Sequence, residues 1–383
     1  MSNKDGISRR GLWGAVGGVP LAVAAVTAAE AEPAPDGEPK IEPIAPFKYN
    51  IESKRGWQGD GGSAKEATVE EFPISQSIAG VSMRLKPGAI RELHWHALAA
   101  EWAYMLTGRC RATVVMPNGQ SEISDFLPGD TWYFPRGHGH ALQGMGPGEA
   151  HFILGFDNGH FSEYGTFSIT DWIKTAPKHI VARTLGIPES VVEQFPKEVY
   201  IGPGKVPVEA LEPLRDPSMQ WPQFTHKYRL DMQPPRIFPG GREYMVTSKE
   251  FPIQTTLTAV KMELNPGALR EMHWHPHADE WQFYVRGHAR VGVFGSHSRT
   301  RVEEFGPNDV GFIQQGYGHY VEQIGDEPTE IIILFNSGIY EEISLANWLG
   351  GNPTSLLETN FGISKTLVDQ LPKRETGIFG KKA

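Results

Sequence analysis

The feature that most constrains this fold is an internal duplication of the sequence. The segment Pro87–Gly108 (PGAIRELHWHALAAEWAYMLTG) recurs 179 residues later as Pro266–Gly287 (PGALREMHWHPHADEWQFYVRG). The offset holds without a gap to Phe156 and has fallen to 176 residues by Trp172, so the first copy carries three extra residues between these two positions. Self-similarity at so long a period indicates that one folding unit occurs twice.

Each copy is long enough to form a domain with its own core. The chain has 383 residues, of which 39% are hydrophobic and 21% are charged, the composition of a globular protein. Its formal net charge of −9 argues against nucleic acid as a partner, because phosphate recognition needs a basic surface. The single cysteine, Cys110, excludes an intrachain disulfide.

Short segments typical of strands dominate each copy. ATVVM at 112–116 and TWYFP at 131–135 are rich in β-branched and aromatic residues. The 43 glycines and 30 prolines favour many turns over long helices. A segment with helical spacing follows the strands, in the first copy at 170–195. The sequence therefore predicts a mainly β protein with two β-barrel or jelly-roll domains, each with a small helical tail.

The N-terminus is predicted to be a targeting segment. Ser8-Arg9-Arg10-Gly11-Leu12-Trp13 resembles a twin-arginine export signal, and a weakly apolar stretch follows it. We expect the mature protein to be periplasmic or secreted, with no membrane contact once the signal is removed. A membrane anchor is the alternative, although the stretch is rich in Gly and Ala and barely reaches spanning length. The predicted divisions are a signal peptide at 1–31, an extended arm at 32–50, and domains at 51–232 and 233–383.

One set of histidines and a glutamate recurs at the same spacing in both copies. His94 and His96 project from one face of a strand, because strand side chains alternate, and Glu101 follows at a distance that suits a hairpin. A core or surface role is the alternative for any single histidine, but recurrence of all four residues favours a metal ion. The two predicted metal sites are His94, His96, Glu101 and His140, and His273, His275, Glu280 and His319.

Such a ligand set suits a reactive metal centre. Three imidazoles and one carboxylate leave two positions open on a six-coordinate divalent ion. A divalent ion with one carboxylate keeps a net charge of about +1, which suits a small anionic substrate.

The spacing of these residues resembles the two motifs of the cupin family. They read Gly88-x5-His94-x-His96-x4-Glu101-x6-Gly108 and Gly129-x5-Pro135-x-Gly137-x2-His140. The second copy departs from the usual Gly and Pro of the second motif at Asn308 and Gln314. More narrowly, RELHWH, EWAYM and WYFP resemble the bicupin oxalate decarboxylases. That resemblance implies oxalate as substrate, manganese in each cupin domain, dioxygen as redox co-catalyst, and a homo-oligomer, either trimer or hexamer.

The resemblance also implies which residues convert oxalate to formate and carbon dioxide. Arg91 would anchor and polarise a carboxylate of oxalate, with Arg270 as its counterpart in the second copy. Strict alternation from His94, however, predicts that Arg91 lies on the opposite face of the strand. Glu163 matches the glutamate of a flexible lid, here Ser162-Glu163-Tyr164-Gly165-Thr166, and would take a proton from oxalate and return it to carbon. The three-residue insertion gives this lid to the first copy alone.

Two other functions stay open. Oxalate oxidase would yield hydrogen peroxide, because a carbon radical without a proton donor is oxidised to a second carbon dioxide. Tyr164 and Gly165 depart from the lid of the decarboxylases and leave room for this activity. The other alternative is a non-catalytic periplasmic manganese-binding bicupin. In the second copy Glu341 or Glu342 could replace Glu163 as the acid, but a structural or weakly catalytic role is expected there.

Overall fold

The structure, a computed structural model, describes residues 41–54, 56–196, 199–208 and 223–381. The described residues from 43 to 381 belong to one compact unit. The export signal predicted at 1–31 lies outside the described residues. Within the described ranges no helix is both long and apolar enough to cross a membrane.

The first copy folds into two antiparallel sheets. Its strands are β2 Trp57–Gly59, β3 Gly62–Ala67, β4 Ala79–Leu85, β5 Ile90–Trp95, β6 Glu101–Thr107, β7 Cys110–Val115, β8 Ser121–Phe126, β9 Thr131–Phe134, β10 Gly139–Gly144, β11 Ala150–Phe156, β12 Phe167–Ser168, β13 Ile201–Gly202 and β14 Lys227–Tyr228. The seven-stranded sheet has the order β14-β9-β6-β11-β4-β3-β2, and the six-stranded sheet has the order β12-β5-β10-β7-β8, with β13 beside β5.

The second copy repeats this arrangement. The strands are β1 Lys48–Asn50, β15 Arg236–Phe238, β16 Gly241–Val246, β17 Thr258–Leu264, β18 Leu269–Trp274, β19 Glu280–Arg286, β20 His288–Gly295, β21 Arg299–Phe305, β22 Asp309–Ile313, β23 Gly318–Ile324, β24 Thr329–Phe335, β25 Ile343–Ser344 and β26 Ile378–Phe379. The seven-stranded sheet has the order β1-β22-β19-β24-β17-β16-β15, and the six-stranded sheet has the order β21-β20-β23-β18-β25, with β26 beside β18. Strand β1, from the segment predicted to be an extended arm, therefore pairs with the second copy.

A short helical tail follows the strands in each copy. Its first helix begins at the same repeat position in both, where the hydroxyl of Ser168 or Ser344 accepts a hydrogen bond from a backbone N–H three residues later. The helices are α1 Ile169–Thr175, α2 Lys178–Leu185, α3 Glu189–Val192, α4 Leu345–Gly350, α5 Thr354–Phe361 and α6 Lys365–Val368. The predicted fold class, mainly β with two barrel domains that each carry a small helical tail, is confirmed.

Each barrel has its own apolar core, and a third core joins the two barrels. The shared core contains Trp102 of the first copy and its repeat partner Trp281 of the second, both fully buried. Trp281 packs so closely on Gly80 that a Cβ there would lie 2.2 Å from its Cζ2 atom. The repeat partner of Gly80 is Ala259, so the interface is not symmetric in detail. This packing fixes the barrels to each other and leaves each interior free to hold a polar site.

Candidate metal centres and active site

The strands of the first barrel bring four predicted ligands together inside it. His94 lies near the end of β5, His96 directly after it, Glu101 at the start of β6 and His140 in β10, where it pairs with His94 in register. All four are buried, and one ligand atom from each lies within 4.8 Å of the others. The carboxylate of Glu101 is 2.9 Å from Nε2 of His96 and 3.2 Å from Nε2 of His140.

The protonation states at this cluster suit a cation. Nδ1 of His94 is hydrogen bonded to the backbone oxygen of Glu92, and Nδ1 of His140 to that of His138, so both rings turn Nε2 inward. Burial, and then the positive charge of Arg91, hold the pKa of His94 well below its usual value. Its ring is therefore neutral, and its buried Nε2 has no hydrogen-bond partner.

The glutamate of the cluster supplies the negative charge. Burial alone would raise the pKa of Glu101, but the charges and hydrogen bonds of His140 and His96 outweigh burial and lower it below the usual range. An ionised carboxylate with an unpartnered imidazole nitrogen fits a divalent ion, since a metal requires deprotonated ligands.

The second barrel repeats the cluster with small differences. The ligand atoms of His273, His275, Glu280 and His319 also lie within 4.8 Å of one another, and all four residues are buried. The carboxylate of Glu280 is 3.0 Å from Nε2 of both His275 and His319. Burial, and then the charge of Arg270, lower the pKa of His273, as Arg91 does for His94. The structure thus places all eight predicted ligands in two clusters, each of three histidines and one glutamate.

Arg91 lies on the same side of its strand as His94, so the prediction from strict alternation is wrong. The pairing of β5 with β10 shifts register between His140 and Leu142. As a result Arg91 and Glu92 are both buried although they are neighbours in sequence, and Leu93 is 56% exposed. A local irregularity of this kind turns the following side chains to the other face. It directs both the arginine and the histidines into the barrel.

The lid, residues 162–166, is closed over the first cluster. Glu163 begins a short 3-10 helix, Glu163–Gly165, and its side chain is only 1% exposed. Its Oε1 accepts a hydrogen bond of 2.8 Å from Nε of Arg91. The same carboxylate approaches Nε2 of His94 and of His96 to 3.7 Å. Glu163, the lid acid predicted from the sequence, therefore contacts Arg91, the predicted anchor of the substrate, beside the metal cluster.

Arg91 is held by several groups besides Glu163. Its Nη2 donates to the hydroxyl of Thr166 over 2.8 Å, and its guanidinium lies 4.3 Å from the centre of the Tyr200 ring. Cation–π and hydrogen-bonding contacts of this kind fix the direction of a buried guanidinium. The lid and the arginine are thus parts of one hydrogen-bonded unit.

Arg270 in the second barrel has different acidic neighbours. It donates to the carboxylate of Glu342, which also accepts from the hydroxyl of Tyr340, and it lies 3.5 Å from Glu243. Of the two acids considered for this copy, Glu341 is instead paired with the exposed His277 at 3.2 Å. The cavity here is about 10 Å³, which holds about one water molecule.

Two buried glutamates near these sites were missed by the sequence analysis. Glu66 in β3 accepts hydrogen bonds from the lid, and Glu243 in β16 lies beside Arg270. They do not occupy equivalent positions, because the repeat offset pairs Glu66 with Met245 and Glu243 with Ala64. Each of these glutamates lies within a strand of mostly buried residues, which is the sequence feature that could have indicated a role. Neither glutamate belongs to a recognisable motif.

The sequence matches known cupin proteins over most of its length. The profile of the cupin family matches residues 49–193 and 228–369, so this is a cupin protein with two cupin domains. More narrowly, it belongs to the oxalate decarboxylase family. It is 39% identical to the oxalate decarboxylase OxdC of Bacillus subtilis over 344 residues, 88% of each chain. A probable oxalate decarboxylase of Arthroderma benhamiae is 30% identical over 323 residues, 83% of this chain and 79% of the relative.

Solved structures give the same assignment. One from work on the Mn(II) centres of Bacillus subtilis oxalate decarboxylase has a TM-score of 0.82 and 38% identity, and covers 89% of this chain and 90% of that chain. Another structure, of oxalate decarboxylase from Bacillus subtilis at pH 4.6, has a TM-score of 0.83 and 38% identity over 89% of each chain. The similarity includes both barrels and therefore both clusters.

Proposed function

We propose that this protein is an oxalate decarboxylase that converts oxalate to formate and carbon dioxide at the first cluster. Family membership supports the substrate. The observation that carries the proposal is the position of Glu163, which is buried, 2.8 Å from Arg91 and 3.7 Å from the inward nitrogens of two histidines. An acid, a cation and a metal-type ligand set are together what this reaction requires.

Manganese is the proposed metal in both cupin domains. Three histidines and one glutamate in each cluster form a ligand set that fits a divalent ion, and the Bacillus relative has Mn(II) centres. When bound, manganese would supply a positive centre for oxalate and one-electron chemistry, with dioxygen as the redox partner. The residues that would hold it are His94, His96, Glu101 and His140 in the first domain, and His273, His275, Glu280 and His319 in the second.

Arg91 binds and polarises one carboxylate of the substrate. Its guanidinium is fully buried, so its positive charge acts in a medium of low dielectric. Thr166 and Tyr200 keep it pointing at the cluster. An incoming oxalate would compete with Glu163 for the Nε and Nη groups, which couples substrate binding to movement of the lid.

Glu163 moves the proton. It takes the acidic proton of hydrogen oxalate and returns it to the carbon atom from which carbon dioxide departs, so one hydrogen oxalate gives one formate and one carbon dioxide. The closed lid keeps water away from that carbon, since the carboxylate of Glu163 is 1% exposed. Without the acid, oxidation to a second carbon dioxide would prevail, and dioxygen would be reduced to hydrogen peroxide.

The test is an assay of manganese-loaded protein with oxalate at mildly acidic pH, in which formate and peroxide are both quantified. We expect formate as the main product, and Glu163→Ala should remove most of it and raise the share of peroxide. Glu341→Gln is the matched control, because this carboxylate lies beside the second cluster but is exposed and paired with His277. Peroxide as the main wild-type product would support the oxidase, and neither product would support a non-catalytic manganese-binding protein.

The second cluster is proposed to have a structural or weakly catalytic role. Arg270 is already engaged by Glu342, with Glu243 beside it, and the cavity admits about one water. His273→Ala should therefore lower stability and metal content more than it lowers the formate produced per remaining manganese ion.

Export by the twin-arginine route and assembly into a homo-oligomer stay predictions. Replacing Arg9 and Arg10 together by lysine should keep the protein in the cytoplasm of an expressing bacterium, as judged by fractionation and immunoblotting. Light scattering of the purified mature chain should give the mass of a trimer or a hexamer.

A further inference from the structure

We propose that Glu66 and Tyr164 form a two-point clamp that holds the lid closed and thereby positions Glu163 against Arg91. Neither residue contacts the metal cluster or the substrate position, so both are positioning residues. The catalytic consequence of the clamp rests on the proposed function, because it requires Glu163 to be the proton-transfer group. The clamp itself is a statement about the lid and is testable without any turnover.

The first point of the clamp is the carboxylate of Glu66. It accepts hydrogen bonds from the backbone N–H groups of Glu163 (2.6 Å) and Tyr164 (3.2 Å) and from the hydroxyl of Ser162 (3.0 Å). The N–H groups at the start of a short helix have no partner within the helix, so a carboxylate there satisfies them and stabilises the turn. The bonds reach from strand β3 to the lid, 96 to 98 residues away in sequence.

The second point is the hydroxyl of Tyr164. It donates to the backbone oxygen of Ala64 over 3.0 Å and accepts from the backbone N–H of Trp57 over 3.2 Å. Trp57 and Ala64 face each other across the pairing of β2 with β3, so the hydroxyl bridges that hairpin. The ring also packs edge-on against Tyr200, with centroids 5.5 Å apart. A tyrosine that is 45% exposed therefore attaches the lid to the rigid barrel.

The two points act on one catalytic side chain. Glu66 fixes the backbone at residues 163 and 164, and the hydroxyl of Tyr164 fixes the side chain of Tyr164 on the barrel. Together these contacts determine the direction in which the carboxylate of Glu163 points. Substrate cannot reach a cluster covered by a residue that is 1% exposed unless these bonds break. The strength of the clamp thus sets both how often the lid opens and how accurately it closes.

Only the first barrel contains the clamp. The repeat partner of Glu66 is Met245, which offers no carboxylate, and Tyr164 belongs to the region in which the first copy is three residues longer. Burial, opposed by the hydrogen bond from Ser162 and aided by the charge of Glu163, raises the pKa of Glu66 to about 7. Burial disfavours the ionised form of this carboxyl group, yet the group lies where it accepts the hydrogen bonds of the lid. Both the raised pKa and these hydrogen bonds are consistent with a positioning role.

The clamp is tested by hydrogen exchange of the backbone amides of residues 163 and 164 in the manganese-loaded full-length protein. Tyr164→Phe removes both hydroxyl bonds and keeps the ring, and Glu66→Ala removes the carboxyl group that accepts the hydrogen bonds of the lid. We expect exchange at these amides to rise by roughly tenfold or more in either variant, since each hydrogen bond contributes a several-fold factor. Matched controls are Tyr228→Phe, which removes a hydroxyl bond to Gln233, and Glu71→Ala, whose carboxylate caps Thr68 instead of the lid. Unchanged exchange in Tyr164→Phe, which alters a partly exposed side chain, would overturn the clamp.

Kinetics then test the positioning role. In both variants kcat for formate should fall and the peroxide share should rise, while KM for oxalate stays within about threefold. Faster exchange with an unchanged kcat and an unchanged product ratio would refute that role. If the wild-type protein makes no formate at all, the proposed function fails, yet the exchange result still decides whether Glu66 and Tyr164 hold the lid.

Discussion

Replacing Glu66 by glutamine should change how the stability of this protein depends on pH. Burial and the nearby charge of Glu163 raise the pKa of Glu66 from its ordinary 4.5 to about 7 in the folded state, against the hydrogen bonds from the lid. The folded protein therefore holds this proton more tightly than the unfolded chain does. The resulting stabilisation is fully present below pH 4.5 and is lost as the pH rises towards 7. At about 1.4 kcal/mol for each pH unit, the loss is on the order of 3 kcal/mol.

Urea denaturation between pH 4 and pH 8 measures this effect. The free energy of unfolding of the wild type should fall relative to that of Glu66→Gln across the window, by on the order of 3 kcal/mol. Glu71→Gln, which changes the other carboxylate near this site, should keep most of the wild-type pH dependence, because burial contributes more to the raised pKa of Glu66 than the charge of Glu71 does. If the difference between wild type and Glu66→Gln is constant from pH 4 to pH 8, Glu66 does not carry a raised pKa and the reasoning from burial is wrong.

Four further outcomes are expected. Gly80→Ala should lower the free energy of unfolding by roughly 1–3 kcal/mol in urea, because its Cβ would meet the rigid ring of Trp281 at 2.2 Å; Gly139→Ala, with nothing within 4 Å of its Cβ, should not. Chelation should lower the melting temperature, since manganese at 100 times its dissociation constant stabilises a site by about 2.7 kcal/mol, and His94→Ala should halve the bound metal measured by mass spectrometry. Arg91→Lys should reduce kcat/KM for oxalate roughly 100-fold in the formate assay, because an ammonium group cannot reproduce the planar fork of a guanidinium.

The metal clusters were predictable because their signal is local and repeated. His94 and His96 are two residues apart in a strand, so alternation alone places them on one face. Recurrence of the same four residue types 179 positions later removes most of the ambiguity of a single motif. The fold class was predictable for a similar reason, since short β-branched segments separated by Gly and Pro favour strands wherever they occur.

The groups around the clusters were harder to predict because their positions depend on pairing between distant segments. Alternation failed at Arg91, since the register shift that turns it inward arises from the pairing of β5 with β10. Glu66 could not be recognised because its partners lie almost 100 residues away, in a lid whose position follows from packing. The resemblance to oxalate decarboxylases implied a catalytic role for Arg91 that periodicity could not supply.

The two barrels keep the same ligands while the groups around the ligands differ. The eight ligands come from regular strands and their immediate ends, where a change of position would break the sheet, so both copies keep them. Glu163 and Glu342 come from irregular segments, which tolerate insertions and substitutions. In the first copy, which is three residues longer in this region, Glu163 contacts Arg91. In the second copy the segment that carries Tyr340 and Glu342 lies against Arg270, and Glu243 of strand β16 lies beside this arginine at a cavity of about 10 Å³. The different roles proposed for the two sites therefore require no change in the metal ligands.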